Sequence, residues 1–370
     1  MFQSLPFELT EAILDYLGDH ALRQTLRIAS FLRYPSEKRL YHTVSLSNRS
    51  KKGLGDRQAC FLDTVINNCR LAEYVVVLAM GGRTPADEDD PKVNSVIGQA
   101  MKNMINLKDL EISGDPYIIN AQLDSVPFSL NRLYISQERV SEAHFPSFIP
   151  ILRAHPNLEE VAFDRRTFPS DLLTTLKAED DAPISEILCP HLRRFDGYDC
   201  GLRLFLARRT IERATTIGSG AELIYHEELA DVWLTPVLTS AYRHLRVLEV
   251  WPDRQKNTCF LSTVAPYLTF LTHLLIVDSF SLIFPDDYLL LSLGRIPALK
   301  SFTISDLDEP RRTVLADAQT IVDLVCSVCP DIAEIFVGGN DCAEFYQYTK
   351  GKGLHSNLVS KEIACRPYSK

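Results

Sequence analysis

The sequence predicts a mixed α/β fold, in which a short helical module is followed by a long solenoid of parallel strands alternating with helices. Three observations carry this prediction: a leucine motif that returns along the chain, helical patterns that end at prolines between its copies, and an amphipathic helical start. A repeat of this kind buries its apolar face only against its neighbours, so stability belongs to the stack and not to one unit.

The returning motif is Leu-x-x-Leu-x-Leu or a close variant of it. Its copies begin 19 to 34 residues apart, and both the spacing and the strand pattern are typical of leucine-rich repeats. The motif's leucines would point into a shared core, and the residues between them would face outward. The copies begin at Leu107, Leu130, Leu158, Leu192, Ile211, Leu245, Leu271, Leu299 and Ile332. Two earlier strands, at 44–46 and 74–78, bring the predicted arc to about 11 strands.

Helical patterns separate several of these strands, at 145–154, 229–242, 261–270 and 314–329. Some of them end in proline-containing turns, as in His155-Pro156, and proline just past a helix is a common stop signal. Strand, turn and helix therefore alternate. This order predicts parallel strands on the concave side of an arc and helices on its convex side.

The first 46 residues follow a different pattern, with apolar residues at helical spacing. Gly18 can end the first helix, Asp19 can cap a second one, and Pro35 is predicted to start a third. Three short helices in about 40 residues seldom hold a sufficient core, so another surface must cover the remaining apolar face. The stripe of the first helix consists of Leu9, Ala12, Ile13, Tyr16 and Leu17.

The order of these residues resembles an F-box. The family pattern is a Leu-Pro-x-Glu-Leu opening, an Ile-Leu-x-x-Leu segment and a leucine-rich second helix, here at 5–9, 13–17 and 22–28. The closing segment 40–46 is similar to the tail by which fungal F-box helices lead into the first strand of a repeat domain. Phe31 and Leu32 are nearest to the position where many F-boxes carry a tryptophan.

The resemblance implies a substrate-recognition subunit of an SCF-type cullin ubiquitin ligase. The F-box helices would dock on the adaptor protein, which bridges to a cullin, and the arc would bind an unidentified target protein. The alternative is a leucine-rich-repeat scaffold that binds a partner outside the ubiquitin pathway, with the helices as a cap. The positions that match the family's adaptor contacts are Leu5, Pro6, Leu9, Ile13, Leu14, Leu17, Leu22 and Leu26, with Glu8 helping to set the first turn.

Basic and aromatic residues gather at the outward positions of the middle repeats. Arginine and aromatic side chains are the types that anchor partner proteins. The alternative is that they are ordinary surface residues on a polar strand face. The candidates for target binding are Arg132, Tyr134, Arg193, Arg194 and Trp251.

Composition argues against several other classes of protein. The formal net charge of −9 and the pI of about 5.5 argue against a nucleic-acid surface. No apolar run approaches the length of about 18 residues that a membrane span needs. Glu8, Glu11 and Asp15 interrupt any signal-peptide core. The nine cysteines are therefore expected to be reduced thiols in the cytoplasm or nucleus.

The sequence contains no catalytic constellation, and we expect a binding protein without catalytic residues, metal or cofactor. Cys326 and Cys329 form a Cys-x-x-Cys pair, but zinc needs a second pair at the right distance. We therefore interpret them as packed apolar residues. The predicted domains are the helical module at 1–43, the repeat arc at 44–349 and a capping tail at 350–370.

Overall fold

A computed structural model describes the two units of the chain. Unit 1 comprises Met1–Thr167 and Glu186–His191, and unit 2 comprises Phe168–Ser185 and Leu192–Lys370. The described residues are 7–28, 30–46, 56–80, 91–113, 123, 126–136, 149–163, 189–198, 210–217, 242–251, 257–277, 287–306, 315–339 and 344–358.

Unit 1 begins with the helical module and continues into parallel strands. The module consists of α1 (Phe7–Asp15), α2 (Asp19–Ile28) and α3 (Ser30–His42). The further helices are α4 (Asp56–Asn67), α5 (Cys69–Ala72), α6 (Pro91–Asn103) and α7 (Ile149–Ala154). The strands are β1 (Thr43–Ser45), β2 (Val77–Met80), β3 (Asp109–Ser113), β4 (Arg132–Ser136) and β5 (Glu160–Phe163). These five strands pair in parallel and in chain order.

Unit 2 continues the same alternation and ends in a hairpin. Its parallel strands, again paired in chain order, are β6 (Arg194–Tyr198), β7 (Arg213–Ile217), β8 (Val247–Trp251), β9 (His273–Val277), β10 (Ser301–Asp306) and β11 (Glu334–Gly339). The described helices are α8 (Asn257–Val264), α9 (Asp287–Gly294) and α10 (Leu315–Val328), with a 3-10 turn at Ala265–Tyr267. The antiparallel hairpin is formed by β12 (Glu344–Thr349) and β13 (Gly353–Leu358).

The register of the parallel strands aligns the leucine motif from repeat to repeat. In unit 1, Leu110 pairs with Leu133, which pairs with Val161. All three side chains are at most 2% exposed. The same motif position in unit 2 is equally buried and in register at Ala214, Leu248, Leu274, Phe302 and Ile335. Within each unit, these aligned and buried motif positions confirm the predicted leucine-rich-repeat fold.

The hairpin covers the edge of the last parallel strand. β12 pairs with β11 along its length, so backbone groups that would otherwise form an open sheet edge are hydrogen-bonded. Gly351 and Gly353 have φ values of 86° and 81°, a left-handed conformation that glycine adopts without steric cost. The predicted start of the capping tail, residue 350, lies in the turn between β12 and β13.

The third helix begins earlier than the sequence predicts. α3 starts at Ser30, so Pro35 lies inside the helix, although proline favours the first turn because it lacks an N–H group. Pro35 and Ser36 are buried, and the Ser36 hydroxyl lies 2.7 Å from that of Thr25 on α2. Packing between α2 and α3 therefore overrides the local preference of proline.

The helix predicted at 261–270 is also wrong in its bounds. α8 starts earlier and ends at Val264, and Pro266 then lies in the 3-10 turn, because its ring nitrogen cannot donate to the preceding helical turn. The helix predicted at 314–329 is confirmed by α10. Residues 149–154 of the first predicted segment are helical, whereas 145–148 and 229–241 lie outside the described residues.

Candidate partner-binding surfaces

One face of α1 is buried and one flank is ion-paired to α3. Thr10 and Leu14, one turn apart, are 9% and 3% exposed. These residues attach α1 to the rest of the module. Two ion pairs join the flank of α1 to α3, Glu11 with Lys38 at 3.2 Å and Asp15 with Arg39.

The other flank of α1 carries large apolar side chains that no described residue buries. Leu9, Ile13 and Tyr16 are 53%, 48% and 91% exposed. Leu9 and Ile13 lie one turn apart on α1, and Tyr16 is the first residue after the helix, where its N–H donates to the Ile13 carbonyl at 3.2 Å. We call these three residues the outer stripe. Of the eight large apolar side chains that are exposed in the described part of the chain, five lie between Leu9 and Tyr34. The module thus concentrates exposed apolar surface, which often marks an interaction site.

Four of the predicted adaptor contacts are buried or half-buried. Leu14 and Leu22 are 3% and 5% exposed, so they belong to the core of the module. Leu17 and Leu26 are half-buried. The sequence could not show which of these leucines are buried and which are exposed. Their residue type and spacing are the same, and burial depends on which neighbouring helices pack against each one.

The remaining predicted contacts are exposed or lie outside the described residues. Leu9, Ile13 and Glu8 are exposed, and Leu5 and Pro6 fall in the part of the chain that the structure does not describe. Tyr16 was missing from the predicted contacts. Its place three residues after Ile13 was the available signal, since the two positions share a helix side.

Glu37 fastens the module to the first repeat. Its carboxylate accepts hydrogen bonds from Arg33 at 2.9 Å and lies 2.6 Å from Arg70 of α5. Burial by itself would raise the pKa of Glu37, but the hydrogen bonds from Arg33 and Arg70 and their charges outweigh it and lower the pKa. Tyr34 meets Tyr74 edge to face, with ring centroids 5.6 Å apart. The module and the first repeat therefore pack as one body.

In unit 1, the predicted target-binding arginine already has a partner. Arg132 of β4 lies 2.6 Å from Asp109 of β3. A hydrogen bond from Arg132 to Asp109 raises the pKa of the arginine, and Glu160 and Glu159 add to the rise. Tyr134, two residues along β4, is half-buried. This outward strand face is acidic, and its arginine is compensated by the strand next to it.

In unit 2, the two predicted arginines differ. Arg194 lies 3.9 Å from Asp196 of the same strand and is half-buried. Arg193 is exposed, and its side chain makes no ion pair with any described residue. Trp251 ends β8, but its side chain falls outside what the structure describes. Arg193 is therefore the predicted anchor whose charge is available to a partner.

The described residues contain no group of three or more His, Cys, Asp or Glu that could hold a metal ion. Cys326 and Cys329 are free thiols near the end of α10. Burial, followed by the neighbouring Cys326, raises the pKa of Cys329 to about 11. A thiol with so high a pKa is a poor nucleophile, because the thiolate is the reactive form.

None of the described helices combines the length and the apolar composition that a membrane crossing needs.

The fold and these surfaces define a leucine-rich-repeat protein with an N-terminal helical module. No protein-family model matches the chain, and no curated protein matches its sequence significantly. Among solved structures, the chain is similar to the leucine-rich repeat-containing protein LegL7 from Legionella pneumophila. The TM-score is 0.42 and the identity 13%, over 72% of this chain and 86% of that one. The repeat fold assigned to this chain depends on its own strand register and buried motif.

Proposed function

We propose that this protein is a substrate-recognition subunit of an SCF-type cullin ubiquitin ligase. The observation that carries the proposal is the outer stripe, Leu9, Ile13 and Tyr16, on a module whose sequence resembles an F-box. Helices α1–α3 dock this stripe on the F-box adaptor protein, which bridges to the cullin. The repeats bind the target protein, and the complex acts in the cytoplasm or nucleus.

The outer stripe is of the right kind for a protein contact. Burying a large apolar side chain fully contributes roughly 1.5–3 kcal/mol, and these side chains still have about half or more of their surface to cover. The stripe therefore offers roughly 1 kcal/mol or more per residue to a partner. Leu14 and Leu22 are buried in the core of the module. The outer stripe is already exposed, so docking does not require the module to unfold.

In this role the protein carries out no chemistry of its own. It holds the target beside a ubiquitin-conjugating enzyme, and tethering raises the effective concentration of the target's lysines there.

The proposal is tested by measuring the affinity of the purified full chain for the adaptor protein by calorimetry. The double variant Leu9→Asp/Ile13→Asp should weaken binding at least about tenfold, because it places two charges in an apolar interface. Ile105→Asp/Phe270→Asp is the matched control, since Ile105 and Phe270 are 47% and 63% exposed and lie outside the module. Equal binding by both variants would show that the outer stripe is not the docking surface.

A second candidate is a repeat scaffold outside the ubiquitin pathway, with the module as a cap. The junction at Glu37 favours it, because this buried carboxylate and the Tyr34–Tyr74 contact join the module to the first repeat. End caps of this kind are required by repeat stacks. A folded full chain that shows no affinity for the adaptor, while it still captures a partner through the repeats, would favour the scaffold.

A further inference from the structure

The starts of the unit 2 strands form one continuous row of backbone hydrogen bonds. From Glu212 onward, each residue in the row donates its N–H to the carbonyl of the row residue before it, at 2.8–2.9 Å. From Arg193 to Ala333, each member lies one residue before a parallel strand, directly after the first apolar residue of the motif. Lys350 directly follows β12 and ends the row. Its members are Arg193, Glu212, Arg246, Thr272, Lys300, Ala333 and Lys350.

Basic residues occupy every second position of this row. Arg193, Arg246 and Lys300 are exposed, and none of them makes an ion pair within the described residues. We call these three residues the basic rim. Lys350 continues the alternation, but its ammonium group is held by Asp331 at 3.7 Å and by the Pro330 carbonyl at 2.8 Å.

The spacing of the basic rim follows from the sheet. Neighbouring strands lie about 4.8 Å apart, so rim residues on alternate strands are separated by roughly 10 Å. An extended peptide advances about 3.3 Å per residue, so three of its residues cover the same distance. A peptide lying across the strand starts would therefore meet a new rim cation at every third residue.

The residues between the rim cations disfavour a bound peptide in which acidic residues follow one another without a gap. Glu212 is exposed between Arg193 and Arg246 in the row, and like charges facing each other are unfavourable. Thr272 occupies the next gap. Acidic residues separated by two neutral ones would meet the rim cations and leave Glu212 facing a neutral side chain.

We propose that the basic rim binds an acidic segment of a partner protein, in extended form, with a glutamate or aspartate at every third position. The inference depends on the proposed function only in that it assigns target capture to the repeats. A nucleic acid carries a negative charge on every nucleotide, so it would place phosphates opposite the exposed Glu212 as well as opposite the rim cations, which is unfavourable. Cations roughly 10 Å apart also cannot converge on one phosphate group.

Fluorescence anisotropy with the purified full chain tests this proposal. One labelled peptide of about 12 residues carries four glutamates at every third position, and a second carries the same four glutamates side by side. The rim variant is Arg246→Glu/Lys300→Glu. The matched control Arg57→Glu/Lys102→Glu makes the same change in net charge at exposed residues of unit 1.

The spaced peptide should bind about tenfold more tightly than the clustered one, and the rim variant should lose roughly tenfold in affinity for it. The control should bind as the unchanged protein does. Raising the salt from about 0.05 M to 0.3 M should weaken binding, since exposed charges are screened. Equal binding of the two peptides, or an unaffected rim variant, would overturn the inference. So would tenfold tighter binding of a phosphoserine peptide or a single-stranded oligonucleotide through the rim.

Adaptor binding, measured on the same proteins, separates this inference from the proposed function. The rim variant should keep its affinity for the adaptor, and Leu9→Asp/Ile13→Asp should keep its affinity for the spaced peptide. If the adaptor does not bind but the spaced peptide does, the ubiquitin-ligase role fails and the basic rim stands. The opposite result rejects the rim alone.

Discussion

Regularly spaced apolar residues are buried in the repeats but partly exposed in the helical module. In the repeats, Leu248 and Leu274, which occupy the same motif position in neighbouring strands, are completely buried. Leu9 and Ile13, one turn apart in α1, remain about half exposed. A strand inside a stack has a neighbour on each side, so every motif position is covered. A helix in a three-helix module has too few neighbours to cover its whole apolar stripe. Regular apolar spacing therefore predicts an element, but the number of neighbours decides which residues are left for a partner.

The rows at the strand starts show a second contrast, between the two units. In unit 1 the row runs through Lys108, Asn131 and Glu159, without regular charge. In unit 2 the same row carries the alternating basic rim. The strands pair in parallel in both units, so the difference in charge comes from the side chains and not from the backbone.

The largest effect expected from this comparison is on stability. Leu274→Ala should lower the free energy of unfolding by about 2–5 kcal/mol, because it opens a cavity in a fully buried core. Leu9→Ala should change it by less than about 1 kcal/mol, since its side chain is already 53% exposed. Urea denaturation followed by circular dichroism measures both. A loss of similar size in the two variants would contradict the contrast between strand and helix.

A buried histidine tests how strictly the repeat core excludes charge. His155 is completely buried, stacks on Phe128 with ring centroids 5.8 Å apart and accepts a hydrogen bond from the Leu130 N–H at 3.4 Å. Burial lowers the pKa of His155 to about 4. As the pH falls below about 6.5, the unfolded chain binds a proton there before the folded chain does. Stability should therefore fall between pH 6.5 and pH 4, by at most about 3 kcal/mol.

Denaturation at pH 7 and pH 5 checks this prediction, with His155→Gln as the comparison. The variant has no titrating group at this position, so its pH dependence should be shallower than that of the unchanged protein. Identical pH profiles would mean that His155 gains a proton equally well in the folded chain.

The smallest effect concerns the junction between the module and the first repeat. Glu37→Gln should lower the free energy of unfolding by about 1 kcal/mol at pH 7, a modest value because Arg33 and Arg70 are largely solvated. The folded-state pKa of Glu37 is lowered. The contribution is thus complete above the unfolded value near 4.5 and disappears as the pH falls through the lower folded value.

Glu11→Gln provides the matched control, because its ion pair with Lys38 is exposed and should contribute less. Thermal denaturation of the two variants at pH 7 and pH 3.5 measures the difference. An effect of Glu37→Gln that persists unchanged at the lower pH would rule out the charge as its source.

The leucine motif could be found in the sequence because burial in a strand repeats with a period of two, and Leu110, Leu133 and Leu274 keep that period. The copy at Ile211, in which Ala214 replaces the second leucine of the motif, also forms a strand in register. The predicted bounds of α3 and α8 were wrong. In α3, packing against α2 overrides the preference of Pro35 for a first helical turn. In α8, Pro266 lies in a 3-10 turn after the helix has ended at Val264. The sequence could not predict the ion pair of Arg132 with Asp109, because Asp109 lies 23 residues away in the chain and becomes its neighbour only in the sheet.

By itself, the sequence determined the alternation of strands and helices and the presence of a helical module before the first strand, since both depend on short periods of apolar residues. Only the tertiary structure decided which apolar residues of the module remain exposed and which cations form the basic rim. Those properties depend on pairs of residues that are distant in the chain and adjacent in the fold. Backbone pairing brings Arg193, Arg246 and Lys300 into one row, although 53 and 54 residues separate them in sequence.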